Sequence, residues 1–525
     1  MEVLFSRVYI TRVYTPRVST APFRTLCLVT LSAIAALLSF GCSNGPFSSQ
    51  SADVPAAVSV NPNDPFFTHG DDPQWYLETI NAPGAWGLYE SLWGVSYAAG
   101  DLQQVVVSVI DGGIVSGHED LAPVLSDDGI FLVGGASIPI PRGQDPSMDS
   151  NYHGTHVSGL IAARGGNGLG IAGAVYNGWP GPMFLVRPVI ALQYEEGYPV
   201  DIATAILYSA GLENGTGYVP SRRSGVINMS LGGDISGPDA INPSDVLLME
   251  NAVTAAARAD VVLVAAAGNG GGQYSGIDVP ARLVAVIAVG SIDKNEQRST
   301  FSDYGPELEL VAPGATSSTE PWKGILSTYY FPANPSGYTP DLAGTSMAAP
   351  LVAAAAAMVR GANPYLSAGQ VRQILRGTAQ KLPSMGAAGW HEEYGYGLVN
   401  MEAALRRALS EPYGRFTSSS TRSLGTIIPE PVTPSRRAEY DSARSEATWD
   451  PAEPNRVSVI LEAGQDPVTV AALEGVHLTL RTNVPDGILL RLLLDPASAA
   501  RVFEELKERP GVLLVSQERR AVFTN

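Results

Sequence analysis

Four polar side chains stand where acyl-transfer chemistry can be done: Asp111, His153, Asn269 and Ser346. Ser346 lies in Gly344-Thr345-Ser346-Met347-Ala348-Ala349-Pro350, a glycine-led turn that opens an apolar helical run over 351–360, ended by Gly361. At a helix N-terminus the orphan N–H groups and the dipole favour negative charge, which helps an attacking alkoxide and the oxyanion that follows. A serine hydroxyl is inert without a base. His153, in His153-Gly154-Thr155-His156-Val157-Ser158-Gly159, opens a second apolar helical run over 157–163 and is the candidate base. Asp111 closes the apolar run 105–110 and is followed by Gly112-Gly113; it is the candidate orienter of the imidazole. Asn269 follows the apolar run 261–267 in a glycine-rich loop, and its amide can donate to a developing oxyanion. Taken singly, each has a plain alternative: a helix cap, a satisfied core histidine, a turn aspartate, a loop asparagine. Taken together, in one order and on matching strand-to-helix contexts, they point to a nucleophilic triad with an oxyanion donor.

The elements that must position them are legible from periodicity. Strand-like runs at 105–110, 225–231, 261–266 and 284–289 alternate with helical stretches at 201–212, capped by Asp201, and 244–258, capped by Ser244 after Pro243. Residues 367–382 read as an amphipathic helix. Such alternation predicts an α/β fold, a mainly parallel sheet with helices on both faces. An acid at the C-terminal end of a central strand lies where open α/β sheets place their sites. From 411 to 455 serine, threonine, proline and charge replace the apolar periodicity, which predicts a disordered linker. From 456 to 525 the pattern returns: strands at 457–462, 476–481, 488–494 and 512–515, and a helix at 496–509 with Val502, Phe503 and Leu506 on one face. This is a small α+β domain of ferredoxin-like character.

The four site segments resemble the subtilases, the subtilisin-like serine proteases. The likeness runs from about residue 64 to about 407, opening with Asp72-Pro73-Gln74-Trp75 and closing with Tyr394-Gly395-Tyr396-Gly397-Leu398-Val399-Asn400. It implies a catalytic domain at 64–410 with a subtilisin-like fold. It also implies a serine endopeptidase acting on polypeptides through Asp111, His153 and Ser346, with Asn269 as oxyanion donor. Ile227-Asn228-Met229-Ser230-Leu231-Gly232-Gly233 resembles the edge strand that pairs with substrate backbone, which makes Ser230, Leu231 and Gly232 substrate-binding residues. Asp278-Val279-Pro280-Ala281 resembles the base of the primary specificity pocket. A buried carboxylate at Asp278 favours Lys or Arg before the scissile bond; the alternative is a solvated loop acid. One departure is Gly112, where the family usually has Ser or Thr beside the catalytic acid, so Asp111 is expected to be less firmly held. The chemistry requires no cofactor. The family often carries structural calcium in the loop after the His153 helix, with Asn167 and Asp120 as side-chain ligands; a plain glycine loop is the other reading. Gly168-Leu169-Gly170-Ile171-Ala172-Gly173 matches the letters of a dinucleotide fingerprint but follows a helix instead of a strand, so no nucleotide is expected. His156 and His118 are expected to be structural, since the zincin spacing His-Glu-x-x-His is absent.

Composition bounds the partners. The chain has 525 residues, a net charge of −18 and two cysteines. An acidic surface excludes a phosphate backbone as partner, so no nucleic acid is expected. Arg7, Arg12, Arg17 and Arg24 precede an apolar run at 25–40, too short for a membrane span and better read as a signal-peptide core. Leu38-Ser39-Phe40-Gly41-Cys42 resembles a bacterial lipobox. It implies a signal peptide at 1–42, lipidation of Cys42, a linker at 43–63 and an exported, membrane-anchored protein of the cell envelope; ordinary signal cleavage nearby is the alternative. Residues 499–523 resemble the end of a subtilase propeptide, which would make the C-terminal domain regulatory; a surface adhesion or spacer module is the other reading. The competing function for the whole chain is a catalytically silent binding protein on the same scaffold.

Overall fold

A computed structural model describes residues 58–68, 74–92, 104–141, 152–178, 183–194, 196–236, 240–272, 276–317, 323–411 and 429–522. Cys42, the expected signal peptide at 1–42 and most of the expected linker at 43–63 lie outside these residues. The strands, in chain order, are β1 (Val105–Asp111), β2 (Gly129–Phe131), β3 (Ile138–Ile140), β4 (Phe184–Ile190), β5 (Leu192–Gln193), β6 (Glu196–Gly197), β7 (Val226–Met229), β8 (Val262–Ala266) and β9 (Val286–Ile292). They continue with β10 (Leu308–Pro313), β11 (Ser327–Phe331), β12 (Asn334–Thr339), β13 (Arg456–Glu462), β14 (Val476–Val484), β15 (Gly487–Leu494), β16 (Val512–Gln517) and β17 (Ala521–Val522).

The main sheet has eight strands in the order β10-β9-β8-β7-β1-β4-β2-β3, parallel except for the β2–β3 pair. Its central strands are apolar without alternation because both faces are covered; every residue of β1, β7, β8 and β9 is buried. β1 stands between β7 and β4, so the chain leaves it first on one side and returns on the other. Crevices outside the carboxyl ends of strands at such a reversal are where open α/β sheets bind ligands. Asp111 is the last residue of β1.

Helix starts differ from the sequence reading in two places. The helix Pro199–Ser209 begins before Asp201, with Tyr198 at its N-cap and Asp201 in its first turn. The helix Pro243–Arg258 is capped by Asn242, whose side chain accepts from Asp245 N, and not by Ser244. In both, a proline occupies the first helical position, where its fixed φ suits the helix and its missing N–H costs nothing, so the cap is the residue just before the proline.

The C-terminal module runs strand–helix–strand–strand–helix–strand, with sheet order β14-β15-β13-β16. One face of this sheet packs on the helix Ala499–Glu508 through Val457, Val459, Leu490, Val502, Phe503 and Leu506. The other face, with Ile460, Leu480, Leu489 and Leu514, joins the core of the catalytic domain. The module therefore has no free sheet face.

The expected linker at 411–455 needs correction. Residues 434–446 form the helix Pro434–Glu446, capped by Thr433, with Tyr440 and Ala443 in the main core. Only those two residues of the helix are buried, so its sequence reads as polar throughout. Tyr440 accepts from Asn251 Nδ2 at 2.7 Å and donates to Asp486 at 2.6 Å, tying the helix to both domains.

Candidate active site

The helix His153–Ala162 starts directly against the end of β1. Its first turn lies so close that a Cβ on Gly154 would stand 2.1 Å from Gly113 O and 3.0 Å from Asp111 Oδ1. Only glycine allows that approach, and it brings His153 Nδ1 to 3.0 and 2.9 Å from the two Asp111 carboxylate oxygens. Asp111 and His153 are both buried. Gly112 N donates to Asp111 Oδ1 at 2.7 Å. The backbone thus supplies a bond to the carboxylate at the position where the family's usual hydroxyl is missing.

Ser346 is the second residue of the helix Thr345–Ala362, with Gly344 at its N-cap. That helix is long and apolar enough to cross a membrane, but it is buried inside the domain. Ser346 is fixed to the segment after β7: Ser230 Oγ donates to Ser346 O at 2.7 Å, and Ser346 Oγ donates to Ser230 O at 3.3 Å. Asn228 Nδ2 donates to Ser230 Oγ at 3.0 Å, so the tie reaches into β7. Because β7 pairs with β1 in register Ile110↔Met229, Ser230 lies beside Asp111 at the sheet edge.

Asn269 follows β8, the strand beyond β7. Its Oδ1 accepts from Thr345 N at 2.9 Å and from Thr345 Oγ1 at 3.0 Å, so the amide is oriented by the turn that carries Ser346. The donor end, Nδ2, and Ser346 N lie 3.4 and 3.6 Å from the point a Cβ on Gly344 would occupy. Two N–H groups thus lie around one small space next to the serine, an arrangement able to receive an oxyanion. Asn269→Ala is expected to lower kcat by about 10²–10³, with KM changed far less. That figure, ~3–4 kcal/mol, is the loss measured for the corresponding donor in subtilisin itself and is carried over to this chain. Steady-state kinetics on a peptide substrate check it; a fall of less than tenfold removes Asn269 from the hole.

Asp278 is not a solvated loop acid: it is 5% exposed. Gly233 and Val279 exchange backbone bonds at 2.9 and 3.0 Å, and Asp278 N donates to Ala267 O at 2.8 Å. Asp278 therefore sits between the Ser230–Gly233 segment and the loop carrying Asn269. Burial, with the nearby Asp303 and Asp234 charges, pushes its carboxyl up to about 8. Gly268, at φ +114°, permits this crowding, since a Cβ there would strike the carboxylates of both Asp303 and Asp278. Asp303 was missed by the sequence reading. Its oxygens accept from Gly270 N at 3.0 Å and Gly272 N at 2.7 Å, which shapes the loop around Asn269. Ser302-Asp303-Tyr304 carries no local signature that would have singled it out.

His156 and His118 are structural. His156 Nε2 lies 3.0 Å from Ile325 O, and burial, with His153 nearby, pushes its imidazole down to about 3. His118 Nε2 lies 2.9 Å from Gly337 O. The residues expected to hold calcium are brought together, but as donor and acceptor. Asn167 Nδ2 donates to Asp120 Oδ1 at 2.8 Å, while Ile171 N and Tyr338 OH donate to Asp120 Oδ2 at 3.1 and 2.9 Å. N–H and O–H groups point where a cation needs lone pairs, so the residues as arranged do not fit calcium. No group of three or more His, Cys, Asp or Glu suited to a metal occurs among the described residues.

A parallel sheet with a carboxylate–imidazole pair, a helix-N-terminal serine and a flanking amide at its carboxyl edge defines a class of hydrolase. The chain belongs to the subtilase family, whose model matches residues 103–397. It is 38% identical to Subtilisin DY of Bacillus licheniformis over 57% of this chain and 90% of that protein. It is 37% identical to Subtilisin BL of Lederbergia lenta over 58% of this chain and 91% of that one. Among solved structures, a protease of Pseudoalteromonas arctica PAMC 21717 matches 66% of this chain and all of its own, with a TM-score of 0.54 and 30% identity. The protein is a serine endopeptidase, and polypeptides are its substrates.

Proposed function

We propose that peptide hydrolysis runs through Ser346, His153 and Asp111, with Asn269 Nδ2 and Ser346 N as the oxyanion donors. The observation that carries this reading is the Asp111–His153 contact at the sheet edge where Ser230 holds Ser346. The Ser346 hydroxyl leaves the Ser230 carbonyl, gives its proton to His153 and attacks the substrate carbonyl. Asp111 keeps the Nδ1–H tautomer and stabilises the imidazolium. His153 then protonates the leaving amine, and water, activated by the same imidazole, releases the acyl group. A silent scaffold would have no reason to retain this arrangement. The test is labelling with a serine-directed fluorophosphonate: mass spectrometry is expected to find the adduct on Ser346, and an unlabelled, correctly folded chain would sink the assignment.

Asp278 sets the primary specificity in this reading, with Lys or Arg before the scissile bond. Its raised pKa means that the empty pocket holds a mostly neutral carboxyl at pH 7. A cationic side chain binds the ionised form, so preference for Lys or Arg over a neutral residue rises with pH up to about 8 and is flat above. Asp278→Asn is expected to abolish both the preference and its pH dependence. A peptide-library profile with apolar preference, unchanged by the substitution, rejects the idea.

The protein is exported and anchored to the cell envelope through lipid on Cys42. A single acyl chain holds a protein only reversibly at a membrane, and two make the attachment stable. Cys42→Ser is expected to release the protein from the membrane fraction. A wild-type mature protein without lipid mass on its first residue would exclude the anchor.

A further inference from the structure

We propose that Tyr152, Tyr329 and Tyr330 form a subsite for an aromatic side chain in the half of the substrate that follows the scissile bond; this rests on the endopeptidase reading of the site and adds a substrate preference to it.

The hairpin β11–β12 is fastened to both halves of the catalytic machinery. Along the helix that carries His153, Ser327 Oγ donates to His156 O at 2.7 Å and Thr328 Oγ1 donates to Thr155 O at 2.8 Å. Toward the nucleophile, Ile325 N donates to Leu342 O at 3.1 Å, two residues before Gly344, the N-cap of the Ser346 helix. β11 therefore runs against the His153 helix toward its start, and its next residues meet Tyr152, the residue just before His153. Tyr152 stands edge-on to Tyr329 with ring centroids 5.3 Å apart, and tilted by 36° to Tyr330 at 4.8 Å. Phe331 extends the group through Tyr329 at 5.0 Å.

Two features set this group apart from core packing. The three tyrosines are only half-buried and Phe331 is 40% exposed, whereas Trp75, Tyr76, Trp86 and Tyr89 in the domain core are at most 6% exposed. Tyr152 also holds φ +56° and ψ 24°, the left-handed region, which a bulky residue enters only at a cost. Its side chain does not cap the helix, and a glycine would meet the same backbone requirement without strain. Helix geometry thus gives no reason for a ring at this position.

The layout of the sheet edge decides which half of the substrate the rings face. Asn269 follows β8, Ser230 follows β7 and Asp111 ends β1, with His153 against Asp111 and the rings beyond His153. The acyl half lies on the Ser230–Gly232 side in this reading, and the imidazole hands its proton to the leaving amine. The chain after the scissile bond therefore passes His153 and comes to the rings beside it. An extended peptide advances about 3.3 Å per residue, so the first few residues after that bond are within reach. Aromatic rings pair edge-to-face or offset at about 4.5–7 Å, the spacings that the tyrosines use among themselves, so an aromatic side chain is the occupant they fit.

The test compares quenched fluorescent peptides that share one acyl half and carry Ala or Phe at the first, second or third position after the scissile bond. With the full chain, kcat/KM is expected to be about tenfold higher with Phe at one of those positions, the discrimination that an added apolar group gives in a pocket. Tyr330→Ala, and Tyr152→Gly, which keeps the left-handed backbone, are expected to bring the Phe-to-Ala ratio to within about twofold of one, whereas Tyr330→Phe retains it. Rings that only pack the hairpin would, when removed, lower the thermal midpoint and leave the ratio as in wild type, which overturns the proposal. A wild-type profile without aromatic preference after the scissile bond, or with it only in the acyl half, overturns it as well. Ser346→Ala protein separates the two readings by binding alone. Tighter binding of the Phe peptide there, with no turnover by the wild-type chain, counts against the endopeptidase reading and leaves the subsite standing.

Discussion

Ser346→Ala lowers kcat by roughly 10⁶, to the level left by binding and the oxyanion donors alone; the figure is that of nucleophile removal in subtilisin. The loss is confined to chemistry. The Ser346 hydroxyl makes one long bond, 3.3 Å to Ser230 O, while the helix start is held independently by Ser230 Oγ on the Ser346 carbonyl and by Asn269 on Thr345. Substrate binding and thermal unfolding should therefore be close to wild type. Residual turnover above about 1% in purified protein would move the nucleophile elsewhere.

Arg491→Ala destabilises the protein by about 3–5 kcal/mol, because it leaves Asp201 buried without its cation and Glu518 with only the more distant Arg456, at 3.9 Å. The two carboxylates hold the guanidinium firmly in its charged form. Replacing all three groups by apolar residues of similar volume should recover most of that loss, since burying the charges carries its own desolvation penalty. Urea unfolding, done in the Ser346→Ala background to prevent self-digestion, measures both. A single-mutant loss below about 1 kcal/mol would show that the triad does not join the module to the Pro199–Ser209 helix.

The candidate site could be read because Asp111 and Asn269 follow apolar runs while His153 and Ser346 precede them, with glycine or small residues beside each. That pattern marks strand ends and helix starts buried on both faces. Four strands of the main sheet, β1, β7, β8 and β9, were legible for the same reason, whereas β2, β3, β4 and β10 were not read. Asp303 was not, because its role is set by loop backbone folded onto it from residues 270 and 272. The Pro434–Glu446 helix was hidden by its polarity, although Thr433-Pro434 was a start signal of the same kind as the prolines at 199 and 243. Arg491 was not singled out, because inside Ile488-Leu489-Leu490-Arg491-Leu492 its partners Asp201 and Glu518 come from distant segments. Pairing of residues 521–522 with 196–197 joins segments far apart in sequence, and two residues carry no periodicity.

The two-faced sheet of the module bears on how the protein is made. Ile460, Leu480, Leu489 and Leu514 complete a core whose other half, on the helices Pro199–Ser209 and Pro243–Arg258, is synthesised first. At about 5–20 residues per second, the ribosome needs roughly 10–50 seconds more to deliver the cover. During that interval the nascent catalytic domain exposes an apolar patch, the kind of surface on which chains aggregate and chaperones act. Protein quality control during synthesis, as well as enzymology, should therefore respond to mutations on that hidden face.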